Sequence, residues 1–405
     1  MRSTDRETGN TEKGRWHSLP ALRLLVLALL VAAASLVVLG WAWIGAEARA
    51  VVVLSSVLEP PLLEPALDDV TAEPRFEDTS VAGNPALIAR PAGEGPWPAL
   101  FFVNGMIPQG RKLPEVRHLA GGFARAGYLV VVPDLAGLTE DTLTPHTASE
   151  TLDVARAVSG WPDARGGEVG LVGVSTGATL ALLAAEKEGL EGRVSVVAGV
   201  APYTDIKTTV SIATTGYYRR DGEEVRYKSD PFLSYVIARS LISVLPPGQD
   251  RTTLLTEMNG VNRHDPDPLA GLRNRRLDDL GPEARSVVEL LANEDPDRFD
   301  RLYAGLPAQV RADLRKLSPL AGARRLDAPV ELASGPHDKY FPVSESYAIS
   351  RIAPDCRVTV SGALDHAQPS FSLQHLLGFL RLDGFVVRSL REASLRSDSE
   401  PVDQT

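Results

Sequence analysis

Apolar runs alternate with helically spaced segments through most of this chain. Six short runs are rich in apolar residues, a pattern typical of strands that are buried on both faces of a sheet. Between them, apolar residues recur every three or four positions, as in 113–126 and 149–159, and predict helices. This alternation predicts an α/β fold with a mostly parallel central sheet and helices on both faces. The strands are expected at 99–103, 128–132, 169–172, 194–200, 329–333 and 357–360.

A long insertion interrupts the alternation after the fourth of these strands. Its apolar residues recur with helical spacing, as in 286–291, and predict a helical insertion over 206–318. The core is then divided into 76–205 and 319–388. Open α/β sheets place their chemistry at the carboxyl ends of the strands, so an insertion at this point is positioned to cover it.

The N-terminus carries a separate signal. Residues 24–44 form a segment of 21 positions without a charge, and two tryptophans lie near its C-terminal end. A helix of this length spans a bilayer, and tryptophans favour the membrane interface. Five basic residues precede the segment and only Arg49 follows it closely, so residues 1–23 are expected in the cytoplasm and the rest of the chain outside the cell membrane. The alternative is secretion after signal cleavage, since residues 48–50 have the small-x-small form that cleavage requires.

Polar segments border the core on both sides. Residues 45–75 contain three Glu-Pro pairs, which break regular structure and predict an extended linker. Residues 389–405 are polar, rich in Ser and Asp, and predict a disordered tail.

Composition narrows the possible partners and cofactors. The chain has 405 residues and a formal charge of −10, without a long basic cluster, so nucleic acid is not an expected partner. Its single cysteine, Cys356, excludes an intramolecular disulfide and is expected to pack in or beside the last strand. No HExxH, Walker or dinucleotide-binding motif occurs, so neither a metal nor a nucleotide cofactor is expected.

The third run leads into the sequence Gly173-Val174-Ser175-Thr176-Gly177, and a helical pattern follows it. A serine on a sharp turn between a strand and a helix projects its hydroxyl above the sheet, and the two glycines leave room for the chain to reverse. The amide of Thr176, at the start of the helix, then points to where an oxyanion would form. Ser175 is therefore the candidate nucleophile.

A nucleophilic serine needs a base, and the chain offers seven histidines. His366 follows the last predicted strand and so lies on a loop at the carboxyl edge of the sheet, which makes it the candidate base. His337 is expected to be a loop residue beside the candidate acid. The others precede or belong to helical patterns or lie in a charged, loop-rich region: His17, His118, His146, His264 and His375.

Asp338 is the candidate acid, because it lies on the loop after the fifth predicted strand, 329–333. The chain order Ser, Asp, His is that of α/β-hydrolases and differs from those of chymotrypsin and subtilisin. Two rivals exist. Asp205 ends the segment before the insertion, whereas Asp365 adjoins His366 and is too close in sequence to reach the far ring nitrogen.

With these motifs in order over residues 76–388, the chain resembles the α/β-hydrolase superfamily, in particular esterases and dienelactone-hydrolase-type enzymes. The segment from Gly335 to Asp338 is similar to their acid-bearing loop. The resemblance implies that the insertion forms a cap over Ser175 and that a second oxyanion donor follows the first predicted strand. Asn104-Gly105-Met106 stands there in place of the family's usual His-Gly, and the amide of Met106 is the best match for the donor.

These expectations describe a serine hydrolase that cleaves a carboxylic ester, or a related acyl bond, of a small molecule through a Ser-His-Asp triad and an acyl-enzyme. Two alternatives use the same triad: an acyltransferase with an alcohol or thiol acceptor, and a serine peptidase. A non-catalytic binding member of the fold is the least favoured reading, because all three triad positions are filled.

Overall fold

The computed structural model describes residues 45–56, 71–366, 368–369 and 376–395. Within these residues, eight strands form one sheet, and two further pairs of short strands form hairpins. The strands are β1 Arg75–Val81, β2 Asn84–Arg90, β3 Trp97–Val103, β4 Leu129–Pro133, β5 Ala164–Val174, β6 Val194–Val200, β7 Tyr217–Arg220, β8 Glu223–Arg226, β9 Val330–Ser334, β10 Cys356–Val360, β11 Leu364–Asp365 and β12 Gln368–Pro369.

The sheet has the strand order β1-β2-β4-β3-β5-β6-β9-β10. β1 and β2 pair antiparallel with each other, and β2 pairs antiparallel with β4. All later neighbours in the sheet, from β4 and β3 to β9 and β10, are parallel. The mostly parallel sheet is therefore confirmed, whereas the antiparallel edge formed by β1 and β2 was not predicted.

Fourteen α-helices lie in the described residues, one before the first strand and the others after β3. Residues 45–56 are helical and are called α1. The others are α2 Pro114–Arg125, α3 Ala136–Thr139, α4 Pro145–Ser159, α5 Thr176–Ala185, α6 Ile206–Thr215, α7 Pro231–Ser243, α8 Gln249–Asn259, α9 Ala270–Arg273, α10 Pro282–Leu291, α11 Pro296–Gly305, α12 Ala308–Arg315, α13 Ser344–Ser350 and α14 Leu376–Leu395.

Alternate side chains of β3 and β4 supply two separate cores. Phe101 and Val131 belong to the larger core, which includes residues of α4 and α5 on one face of the sheet. Leu100 and Val130, one position away in the same strands, belong to a second core with residues of α1, α2 and α14 on the other face. Because successive side chains of a strand point to opposite faces, the continuous apolar runs are explained by burial on both sides.

The insertion leaves the sheet after β6 and returns at β9. It consists of α6, the β7–β8 hairpin and α7 to α12. The segment predicted as a helical insertion is thus mainly helical, and its β7–β8 hairpin was not predicted. It begins at Ile206, where the side chain of Asp205 accepts a hydrogen bond from the Lys207 amide and caps α6.

The prediction of an extended linker is wrong for residues 45–56. Residues 45–56 form α1, and Ala46, Ala50 and Val53 are buried against the second core. Gly122 of α2 permits this contact, since a Cβ there would overlap the Ser56 side chain. The segment contains no proline, and its apolar residues have helical spacing, so the Glu-Pro pairs further on do not govern it.

The C-terminal boundary also differs from the prediction. α14 continues through residues 389–395, which were expected to belong to a disordered tail over 389–405. Leu390 and Ala393 are buried, and the Tyr128 hydroxyl donates a hydrogen bond of 2.7 Å to the Leu390 carbonyl. Burial of one apolar face offsets the polar composition of this stretch. Residues 396–405 lie outside the described residues.

Within the described parts of the chain, no helix combines the length and hydrophobicity that a membrane span requires. The segment predicted to span the membrane, 24–44, and the cytoplasmic segment before it lie outside those parts. Residues 57–70 of the linker predicted over 45–75 also lie outside them.

Candidate active site

Ser175 occupies a strained turn between β5 and α5. Its φ is 55° and its ψ is −125°, a conformation that residues with a side chain rarely adopt, and its amide donates to the Val200 carbonyl at 2.7 Å. A Cβ at Gly173 would lie 2.6 Å from the Ala178 nitrogen, and a Cβ at Gly177 would overlap backbone carbonyls at the end of β3. Both glycines are therefore required by the close approach of the chain at this turn.

His366 and Asp338 form a buried pair at the carboxyl ends of the last two strands of the sheet. Nδ1 of His366 lies 2.8 Å from Oδ2 and 3.0 Å from Oδ1 of Asp338, and both side chains are almost fully buried. Oδ1 also accepts hydrogen bonds from the amides of Tyr340 at 2.8 Å and Phe341 at 3.0 Å. A carboxylate here accepts the Nδ1 proton and leaves Nε2 as the acceptor nitrogen of the ring.

Ser175 and His366 line one cavity of about 230 Å³. Thr176 and Met106, the two candidate oxyanion donors, line it as well. The structure thus brings the predicted nucleophile, base and donor residues to one place, with Asp338 behind the imidazole. Asp365, which is exposed to solvent, also lines this cavity.

Aromatic and aliphatic side chains form most of the walls of this cavity, and the charged residues Lys339 and Asp365 also line it. Tyr340 meets the His366 ring edge-on, with 4.5 Å between ring centroids. Phe232 of α7 packs against Tyr340 at 6.1 Å, so the insertion contributes directly to the wall. Burial raises the pKa of Tyr340 to about 12, which keeps this phenol neutral around the histidine.

The loop after β3 is held by an arginine of the insertion. Arg263 places a guanidinium nitrogen 3.4 Å from the Met106 carbonyl oxygen and lies 4.6 Å above the Phe232 ring. The same guanidinium forms a 3.2 Å ion pair with the nearly buried carboxylate of Asp141. Burial raises the pKa of Asp141, while Arg263 acts in the opposite direction. Asn104, which replaces the family's usual histidine, is buried.

The rival acid Asp205 has another role. Its carboxylate accepts hydrogen bonds from the Lys207 amide and the Thr208 hydroxyl, each at 3.1 Å, and so caps α6. The structure pairs Asp338, and not Asp205, with His366. His337 is exposed beside the acid, as expected.

Tyr227 and Arg263 were not singled out from the sequence. Each belongs to the insertion and contacts a loop of the core, Tyr227 at Asp338 and Arg263 at Met106. Neither residue lies in a recognisable motif, and both contacts depend on how the insertion folds back over the sheet.

Comparison with known proteins agrees with this architecture. The family model for X-Pro dipeptidyl-peptidase (S15 family) matches residues 85–366, which include Ser175, Asp338 and His366. No curated protein matches the chain.

Solved structures with related folds share little sequence with the chain. A 2,6-dihydroxy-pseudo-oxynicotine hydrolase is 14% identical, with 82% of this chain and 70% of that chain covered and a TM-score of 0.43. A proline iminopeptidase from Mycobacterium smegmatis is 16% identical, with 80% and 100% covered and a TM-score of 0.43. A dienelactone hydrolase from Anabaena variabilis is 13% identical, with 79% and 98% covered and a TM-score of 0.40.

Proposed function

The chain belongs to the X-Pro dipeptidyl-peptidase (S15) family of α/β-hydrolases, and we propose that it hydrolyses an uncharged carboxylic ester through Ser175, His366 and Asp338. The observation that carries this proposal is the buried His366–Asp338 pair, 2.8 Å apart, beside a cavity that His366 shares with Ser175 on its strained turn. A base oriented by a carboxylate, next to a half-buried serine that lines a cavity, is the constellation of acyl transfer.

The proposed reaction has two steps. Nε2 of His366 takes the hydroxyl proton while Oγ of Ser175 attacks the ester carbonyl, and Asp338 stabilises the resulting imidazolium. The amides of Thr176 and Met106 hold the oxyanion, and losing one such donor typically costs about 2.7–4 kcal/mol of transition-state stabilisation. The alcohol leaves with the proton from His366. Water then attacks the acyl-enzyme in the same way and releases the acid.

The cavity walls favour an apolar acyl or alcohol group. Phe232, Leu233 and Val236 of α7 line the cavity together with Met106 and Ile107 of the loop after β3. Apolar walls bind substrate by removing hydrophobic surface from water, and they disfavour a charge placed against them. We therefore propose that the substrates are uncharged esters and that α7 limits the length of the acyl or alcohol group that fits.

A serine peptidase is the second candidate function, and the family match favours it. An X-Pro dipeptide substrate carries a free α-ammonium group, which needs an acceptor near the nucleophile. Among the described residues that line the cavity, Asp365 is the single carboxylate. An acyltransferase would use the same triad with an alcohol or thiol in place of water.

The test compares substrates on one protein. The p-nitrophenyl esters from acetate to decanoate are measured against X-Pro p-nitroanilides, and fluorophosphonate labelling reports the nucleophile. We expect ester turnover to dominate and Ser175→Ala to lose both labelling and several orders of magnitude in rate. A preference for the anilides that Asp365→Asn removes would support the peptidase instead. Undiminished labelling of Ser175→Ala would refute the assignment of Ser175 as the nucleophile.

We also propose that residues 24–44 anchor the enzyme in the cell membrane, with the catalytic core outside. The support is the uncharged length of this segment and the excess of basic residues before it. The full chain should resist carbonate extraction, and protease added to intact spheroplasts should digest the core. Deleting residues 1–44, which retains α1, should give a soluble active enzyme. A mature N-terminus at Val51 would show secretion after cleavage.

A further inference from the structure

The insertion contacts the loop that carries the acid. We call residues 335–343, between β9 and α13, the acid loop. The Tyr227 hydroxyl, just beyond β8, donates a short hydrogen bond to the backbone carbonyl of Asp338. Nearby, the amide of Asp230 donates to the carbonyl of Lys339 at 2.7 Å. Two consecutive carbonyls of the acid loop are thus held by the insertion.

Tyr227 is itself fixed in place. Its amide donates to the Gly216 carbonyl at 2.8 Å, across the base of the β7–β8 hairpin. Tyr218 meets its ring edge-on, with 6.1 Å between centroids. Burial raises the pKa of Tyr227 well above its usual range, so the phenol keeps its proton and remains a donor.

The acid is held from two directions. Amides of the acid loop bind its carboxylate from within the loop, at Tyr340 and Phe341. The hydroxyl of Tyr227 binds its carbonyl from the insertion. Asp338 is buried, and a buried carbonyl without a hydrogen-bond donor is unfavourable. Without the Tyr227 hydroxyl, we therefore expect the Asp338 backbone to rotate so that its carbonyl finds another donor. Its carboxylate would then leave the position 2.8 Å from Nδ1 of His366.

We propose that Tyr227 is a positioning residue that acts through Asp338 to orient His366 for catalysis. The inference rests on the proposed triad. It gives the insertion a role beyond covering the cavity, because the geometry of the catalytic pair depends on a hydroxyl that the core does not contain.

A neighbouring tyrosine provides a matched control. Tyr218 belongs to the β7–β8 hairpin, which Tyr227 directly follows, and is buried. Its hydroxyl accepts from the Ser344 hydroxyl at 3.4 Å, outside the acid loop. Tyr218→Phe and Tyr227→Phe each remove one phenolic oxygen from this part of the insertion. They differ in whether that oxygen contacts Asp338.

The experiment measures kcat and KM for the best p-nitrophenyl ester, with thermal unfolding of each variant as a folding control. Tyr227→Phe should lower kcat about tenfold, as loss of one positioning hydrogen bond of typical strength allows, with KM nearly unchanged. Tyr218→Phe should keep the wild-type kcat. In an Asp338→Asn background, Tyr227→Phe should have no further effect on kcat, because the group it positions is already absent.

Failure of this inference differs from failure of the triad. An Asp338→Asn enzyme with wild-type kcat would remove the proposed acid. A strongly impaired Asp338→Asn enzyme together with a fully active Tyr227→Phe enzyme would overturn the positioning role alone. The same would follow if Tyr227→Phe lowered kcat equally in the presence and absence of Asp338.

Discussion

Replacing Asp338 by asparagine should disable the enzyme through the histidine tautomer. Oδ1 of Asp338 accepts from the amides of Tyr340 and Phe341, so the oxygen of the new carboxamide must remain at that position. Its NH2 group then occupies the Oδ2 position, 2.8 Å from Nδ1 of His366. A donor there obliges Nδ1 to accept, which puts the ring proton on Nε2 and removes the general base.

The size of this effect follows from the same geometry. In a serine protease triad, the corresponding change to asparagine lowers kcat by about ten thousandfold, which equals about 5.5 kcal/mol in the activation free energy. Both members of the pair are buried here, so water cannot take the place of the lost carboxylate. We expect a loss of about this size in kcat, with the fold retained.

The assay is steady-state ester hydrolysis, with Asp205→Asn as the matched control. Asp205 caps α6, and asparagine is also a good N-cap, so this variant should keep its activity and lose less than about 1 kcal/mol of stability. If Asp205→Asn were the impaired enzyme and Asp338→Asn the active one, the assignment of the acid would have to be abandoned.

Three further predictions concern stability, measured by thermal unfolding. Burial raises the pKa of Glu186 to about 8, above the 4.5 of an unfolded chain, so this group lowers stability as pH rises between these values. Glu186→Gln should make the fall smaller, and buried Glu345, whose pKa is raised to about 7, should account for part of what remains. Arg263→Ala should cost about 1–3 kcal/mol, because the nearly buried carboxylate of Asp141 loses its ion-pair partner. Adding Asp141→Asn should recover most of the loss, and an additive loss would contradict the pairing argument. Gly122→Ala should destabilise the protein lacking residues 1–44, because α1 packs there, yet stabilise one lacking residues 1–70, where only helix propensity remains; the same sign in both would show that α1 does not dock on α2.

Local patterns were sufficient for the fold class and for the order of the predicted site. Continuous apolar runs predicted the strands because burial on both faces leaves no polar positions, and β6 has the predicted bounds 194–200. The turn at Ser175 was readable because its backbone geometry requires glycines within two residues of the serine. Loops that follow parallel strands meet at one edge, so Asp338 and His366 could be placed together from chain order alone.

Other features required the tertiary structure. The Tyr227 hydroxyl reaches the Asp338 carbonyl across 111 residues, and Arg263 reaches Met106 across 157. No periodicity in either segment records such contacts, because they depend on the way the insertion packs over the sheet. The docking of α1 has the same origin: its apolar spacing is visible in the sequence, but Gly122, in another helix, provides the space that it needs. Short-range preferences are encoded within each segment, whereas complementary surfaces exist only after distant segments meet.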